Sequence, residues 1–389
     1  MTQSPNSRFA NLILGALVAD AASMGLHWIY DQNHIRKIAP TNPEFREPSA
    51  KDYAGVPAYF AHAGRMKGAQ SQYGEQTLVM LRSLVETGGR FNLNHYAAAF
   101  QSHFGYGGTF VGYIDHATRD TLDNLRRAEE RAHETAKTIP FDGDPAVCNA
   151  MVIKALSILK QNDPATQDAR FEEAVRVTHD NDVIVAYGLK ILRSIQLSEM
   201  PSGSQDVQLP AIAKLPALIA ALVHQGIADG DCTQIIETAI RATNNNETAV
   251  NYGTTGAHMM RAAAVGGDVD AILQAAHDGA TPDIRADLGT AVQMSDRSLN
   301  DVTTHFGLAC NLSYAIPSIS HNFKTASSYS EAVTRNIYAG GDTCGRAILL
   351  GAVMGAVHGV GGDTGIPQNW IDQLGCAAEL RDLTDRLFG

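Results

Sequence analysis

Five residues have side chains suited to hydrolytic chemistry and fall where helices are expected to begin or end: Asp20, Glu75, Gln76, Thr77 and Asp342. Carboxylates gathered with hydroxyl and amide oxygens form a hard-oxygen shell, which suits magnesium or manganese. An ion held there would polarise a sugar oxygen or activate water for attack at an anomeric carbon.

Each of these residues needs an element to deliver it. Asp342 follows Gly340 and Gly341 and precedes Ala347 to Val360, with no proline before Pro367. A carboxylate after flexible residues and before good helix formers reads as a helix N-cap. Gly351, Gly355 and Gly359 recur every four residues along that helix. One face is therefore bare backbone that another helix can approach closely, at about 1 kcal/mol of helix propensity per glycine. Such a helix belongs at the centre of a helical protein. Arg8 to Gly25 reads as a first helix, since Phe9, Leu12, Ile13, Ala16 and Leu17 form an apolar stripe of helical period. Asp20 continues the stripe, and a carboxylate facing a core needs a partner, a hydrogen-bond network or a metal. Glu75 to Glu86 reads as another helix, stopped by Gly88-Gly89, with Tyr73-Gly74-Glu75-Gln76-Thr77 at its start.

Other stretches are less specific. The proline-bearing run Ala39 to Tyr73 has no period and reads as a lid or binding loop. Its Tyr53, Tyr59, Phe60 and His62 either stack on a flat ligand or pack on one another. The glycine-rich loop His103 to Tyr113 matches no phosphate-binding pattern. Further helices are expected around Thr118 to Thr135, and at Ala146 to Leu159, Phe171 to Val177, Val183 to Leu197, Leu215 to Ile227, Gln234 to Ala242, Glu247 to Ala264 and Val269 to Ala276. Ser198 to Leu209 is a polar break, and Leu308 to Pro317 reads as a buried helix end before a proline. With no alternating strand pattern and no fixed-period repeat, the chain reads as all-α, a single domain over 1–389 with a dozen or more helices.

At 44% hydrophobic the 389 residues can bury a substantial core. A net charge of −11 argues against a nucleic-acid partner held by a basic surface. No apolar run reaches the roughly 18 residues of a membrane span, and Met1 to Arg8 is polar, unlike a signal peptide. Five scattered cysteines without a C-x-x-C pair fit reduced thiols and a cytoplasmic location, and their spacing is not that of structural zinc.

Three blocks carry a family resemblance. Gly340-Gly341-Asp342-Thr343, Gly351 to Gly359 and Ile366-Pro367-Gln368-Asn369-Trp370 resemble the C-terminal signature of the ADP-ribosylglycohydrolases. Gly15 to Ala21 is similar to that family's opening helix, and Thr178-His179-Asp180 to its mid-chain T-H-x-D segment, with Asn181 at the last position. The resemblance implies an orthogonal bundle of α-helices with a cleft at the helix ends. In active members, two magnesium ions position ADP-ribose there for removal from an acceptor.

The ligand motifs depart from the family pattern. Where the family carries T-D-D-T, the chain reads Gly74-Glu75-Gln76-Thr77; where it carries G-D-T-D-T, the chain reads Gly341-Asp342-Thr343-Cys344-Gly345. Glycine offers no ligand, and cysteine is too soft for magnesium. The resemblance therefore implies at most one Mg²⁺, held by Asp342 and Glu75 with Thr77 or Asp20. Asp342 and Glu75 are the expected catalytic pair for an ADP-ribosyl or related ribosyl N- or O-glycosidic bond. Asp20, Gln76, His179, Gly340, Gly341 and Arg346 are the expected contacts of a small-molecule or ADP-ribosylated substrate. Arg346, one turn after Asp342, would pair with it or meet a phosphate. Asp31, His27 or neither stands for the family's glutamate near the first motif, and Cys344 reads as a small buried residue in a vacated ligand position. The H-W-I-Y-D and G-G-D-x-C-x-R-A segments are similar to a divergent branch that includes the J1 crystallins, which opens a non-catalytic alternative on the same fold.

Overall fold

The computed structural model describes residues 4–161, 166–197 and 203–389. Residues 198–202 of the expected polar break, and 1–3 of the polar N-terminus, lie outside these. The chain opens with α1 (Pro5–Ser23) and α2 (Gln32–Ile38), then crosses the irregular 39–71 segment to α3 (Gln72–Glu86) and α4 (Leu93–Phe104). Helices α5 (His116–Lys137), α6 (Pro145–Gln161), α7 (Gln167–Arg176) and α8 (Asp182–Leu197) close a small apolar core of their own around Met151, Phe171 and Ile191. The main core continues through α9 (Pro210–Ala213), α10 (Leu215–His224), α11 (Asp229–Arg241), α12 (Glu247–Ala264) and α13 (Val269–Gly279). Helices α14 (Pro282–Gln293), α15 (Leu299–Phe306), α16 (Leu312–Thr325) and α17 (Tyr329–Tyr338) lead to α18 (Thr343–His358), then α19 (Gln368–Ile371) and α20 (Ala377–Phe388). Among the described residues there is no strand, only isolated bridges such as Ile29 with Ala58. The all-α expectation holds.

Helices α1 and α18 are the axis of the bundle. A Cβ placed on Gly351 would clash with the Gly15 carbonyl oxygen, and one on Gly355 with the Asn11 carbonyl. The two backbones thus touch directly, as the glycine spacing predicts. Asn11 lies by Gly355, Gly15 by Gly351, Asp20 by Cys344 and Ser23 by Thr343, so the helices run antiparallel. The end of one therefore meets the start of the other.

Two expectations need correction. The apolar stretch Asn6–Leu26 is long enough to cross a membrane by length and hydropathy, but it is 89% buried against the rest of the protein. Its hydrophobicity is used by the core. Pro317 does not end a helix but lies inside α16, where the Ser318 hydroxyl donates to the Tyr314 carbonyl at 2.8 Å. The five cysteines are free thiols.

The glycine contact is testable by a pair of substitutions. Gly351→Ala should destabilise the protein by about 3 kcal/mol through overpacking. Gly289→Ala on α14, where a Cβ meets nothing within 4 Å, should instead stabilise it by about 0.5–1 kcal/mol. Denaturant midpoints with equal shifts for the two variants would refute the close backbone contact.

Candidate functional site

The first turn of α3 organises the site. Ser71, its N-cap, donates twice to Asp20, through its amide to Oδ2 at 2.7 Å and its hydroxyl to Oδ1 at 2.5 Å. Gln72 Nε2 donates to Asp115 Oδ2 at 2.8 Å, and its carbonyl oxygen accepts the Asp115 amide at 2.6 Å. Tyr73 donates its phenol to Asp342 Oδ2 at 2.7 Å. Three successive residues thus hold three buried aspartates from three different elements: the end of α1, the N-cap of α5 and the N-cap of α18. Burial disfavours the charged carboxylate more than these bonds favour it. It pushes Asp20 up to about 7 and Asp115 up to about 6, and raises Asp342 as well.

Asp342 is held by a loop that only glycine fits. Gly340 and Gly341 adopt φ of 71° and 65°, and a side chain on Gly341 would strike the Leu308 carbonyl. The Gly341 amide donates to Ile29 O at 2.7 Å, the Asp342 amide to Leu308 O at 2.9 Å, and the Trp28 amide to Gly341 O at 2.8 Å. Asp342 Oδ1 then caps α18 by accepting the Gly345 amide at 2.8 Å. Trp28 itself sits at φ 63°, a strained conformation for a bulky residue. Its ring packs with Tyr59 and Tyr113. His27 Nδ1 approaches Asp342 Oδ1 to 3.7 Å, but this is no ion pair. That nitrogen accepts the Cys344 amide at 3.1 Å, and burial holds the imidazole well below its ordinary range and hence neutral. Tyr30 and Cys310, both partly exposed, lie near enough to sense the Asp342 charge.

The expected magnesium shell is not assembled by these side chains. Burial opposes the Glu75 charge, yet its bonds to His103 at 3.0 Å and Arg65 at 3.2 Å outweigh this and hold the carboxyl below its ordinary range. A carboxylate already shared by two side chains has little left for a metal ion. The Thr77 hydroxyl donates to the Ala213 carbonyl at 2.5 Å, and Gln76 Nε2 to Thr118 Oγ1 at 3.3 Å, while Gln76 Oε1 is buried without a partner. Gly74 leaves no vacancy, because Gln70 Oε1 and Asp20 Oδ2 occupy the space a Cβ there would need. These oxygens do not fit a magnesium site.

Of the remaining sequence candidates, Arg346 is fully buried rather than at the surface. It donates Nε to Asn336 Oδ1 at 2.9 Å and Nη2 to the Gly340 carbonyl, while Nη1 has no hydrogen-bond partner. Burial brings it down to about 10, with Asp342 opposing that shift, so it remains a cation near Asp342 without a direct ion pair. His179 stands apart, half-buried in the turn between α7 and α8 and bonded to Thr178. Asp31 caps α2 through the His34 amide, a structural task. Ser71, Gln72, Tyr73, Asp115, His103 and Cys310 were not singled out from the sequence. The helix start three residues earlier than expected, at Gln72, is what turns the first three toward the aspartates. Ser71 preceding that start was the readable signal for it.

Comparison with known proteins places this site in context. The family model of the ADP-ribosylglycohydrolases matches residues 1–196 and 190–389. Crystallin J1A of Tripedalia cystophora is 25% identical over 378 residues, covering 96% of this chain and 94% of the crystallin. Crystallin J1B of the same organism is 30% identical over 181 residues, covering 44% and 51% respectively. A solved structure titled "ADP-ribosylglycohydrolase-related protein complex" superposes with a TM-score of 0.56 at 16% identity, covering 99% of this chain and 98% of that one. That likeness concerns the fold.

The raised Asp20 carboxyl has a measurable consequence for stability. Folded Asp20 holds its proton up to about pH 7, against 3.8 for the ordinary group. Its stabilising contribution is therefore complete below about pH 4 and lost as pH rises towards 7. The unfolding free energy of the wild type should fall more steeply across that window than that of Asp20→Asn. Parallel pH profiles would show that Asp20 is not perturbed.

Proposed function

The chain belongs to the ADP-ribosylglycohydrolase family, and from that premise we propose that it hydrolyses an ADP-ribosyl or related ribosyl N- or O-glycosidic bond, with Asp342 as the acid–base group. The reading is carried by one observation: three carboxyls with raised proton affinity are held around a single helical turn, while Glu75 in the same turn stays charged. Environments that push neighbouring carboxyls apart in this way separate an acid from a base. Asp342 donates a proton to the departing group and recovers it from the attacking water, while charged Glu75 keeps Arg65 and His103 in place at the start of α3. A small-molecule or ADP-ribosylated ligand is the substrate expected of a member of this family. The misfit of Glu75, Thr77 and Cys344 to magnesium supports a reaction that does not require that ion.

A second reading is a non-catalytic protein on the same scaffold. The full-length similarity to crystallin J1A favours it, as does the internal satisfaction of Asp20 and Thr77.

Release of ribose products from ADP-ribosylated protein and nucleotide substrates, assayed in EDTA, distinguishes the two. Turnover should survive chelation of magnesium and fall by about 100-fold or more in Asp342→Asn, which keeps an N-cap side chain. Tyr73→Phe removes a donor to the Asp342 carboxylate, raising its proton affinity, and should move the alkaline limb of the pH–rate profile to higher pH. Activity unaffected by Asp342→Asn would exclude the acid–base assignment, and no turnover of any ribosyl substrate would favour the non-catalytic reading.

A further inference from the structure

Beside Asp342 lies a second cluster with a different chemistry. One ring nitrogen of His27, one of His62 and the Cys344 sulfur lie within 4.8 Å of one another, and all three residues are buried. We propose that His27, His62 and Cys344 bind one borderline-soft divalent ion of the zinc class.

Tetrahedral bonds of about 2.0–2.3 Å set ligand atoms roughly 3.3–3.8 Å apart, so the cluster needs to close by only about 1 Å. The donor set is the right one: imidazole nitrogen and thiolate sulfur select zinc-like ions, where magnesium demands oxygen. An independent observation points the same way. His62 is 3% exposed, yet its Nε2 has no hydrogen-bond partner. A buried ring nitrogen left bare is costly, and a metal bond would satisfy it.

The charges also balance. Binding breaks the Cys344 S–H bond, forms a sulfur–metal bond and releases the proton to solvent. The thiolate and the nearby Asp20 and Asp342 carboxyls then face a dication instead of one another. Both imidazoles are already neutral, as ligation requires, because burial lowers His27 well below its ordinary range and His62 to about 4. An ion at His27 Nδ1 would take over the lone pair that now accepts the Cys344 amide. Three protein ligands leave a position for water or a substrate oxygen, as in catalytic rather than structural zinc sites.

Cobalt(II) titration of the full chain after EDTA dialysis tests the site spectroscopically, independently of any turnover. One Co²⁺ per chain should bind with a thiolate-to-cobalt charge-transfer band, and excess Mg²⁺ should not displace it. The band should vanish in Cys344→Ser and persist in Cys148→Ser, whose thiol lies elsewhere. His62→Ala should weaken cobalt binding by about 100-fold. If Cys344→Ser fails to fold, His62→Ala decides the matter. Absence of bound cobalt, a band that survives Cys344→Ser, or unchanged affinity in His62→Ala would each overturn the assignment.

Discussion

The direct backbone contact between α1 and α18 governs the rest of the molecule. Glycines at 15, 351 and 355 remove the side chains that would hold the two helices apart. Because the helices are antiparallel, this contact drives Asp20 at the end of α1 against Thr343 and Cys344 at the start of α18. Two carboxylates are thereby placed where water cannot solvate them. A buried charge without partners is too costly to keep, so the fold must bring donors to both. The first turn of α3 does so, and Gln72 of the same turn extends the arrangement to Asp115. Packing creates the electrostatic demand, and one capped helix start answers it.

Much of this was legible in the residues. The four-residue glycine spacing gave the central helix, the position of Asp20 on an apolar stripe gave its burial, and Gly340-Gly341-Asp342 gave a capped helix start. The polar partners were harder to read. A three-residue error at the start of α3 hid Ser71, Gln72 and Tyr73, because helix starts follow cap geometry rather than hydrophobic period. The pairing of Glu75 with Arg65 depends on the path of the loop at 62–70, and its pairing with His103 on the last turn of α4 lying against α3, and neither carries a periodic signal. His179 shows the opposite failure. Its motif neighbourhood suggested a ligand contact, but α7 and α8 pack into their own small core and leave it in an exposed turn.

The substitutions that removed oxygen ligands did not leave an empty shell. The space at Gly74 is taken by Gln70 and Asp20, Thr77 is turned to a backbone carbonyl, and Cys344 stands between two buried aspartates and two neutral histidines. Carboxyls of raised proton affinity and a nitrogen–sulfur cluster lie side by side there. Both follow from the same dry environment, since low dielectric raises carboxyl proton affinity and keeps imidazoles uncharged.

The central claim is that α3 holds three carboxyls whose burial raises their proton affinity, most strongly at Asp20. Carboxyl ¹³C shifts of aspartate-labelled protein, followed from acidic to mildly alkaline pH, address it directly. The account predicts one midpoint at about 7 for Asp20 and one at about 6 for Asp115, with Ser71→Ala moving the first and leaving the second in place. Midpoints at the ordinary carboxylate value for both residues, or a Ser71→Ala shift shared equally between them, would contradict it.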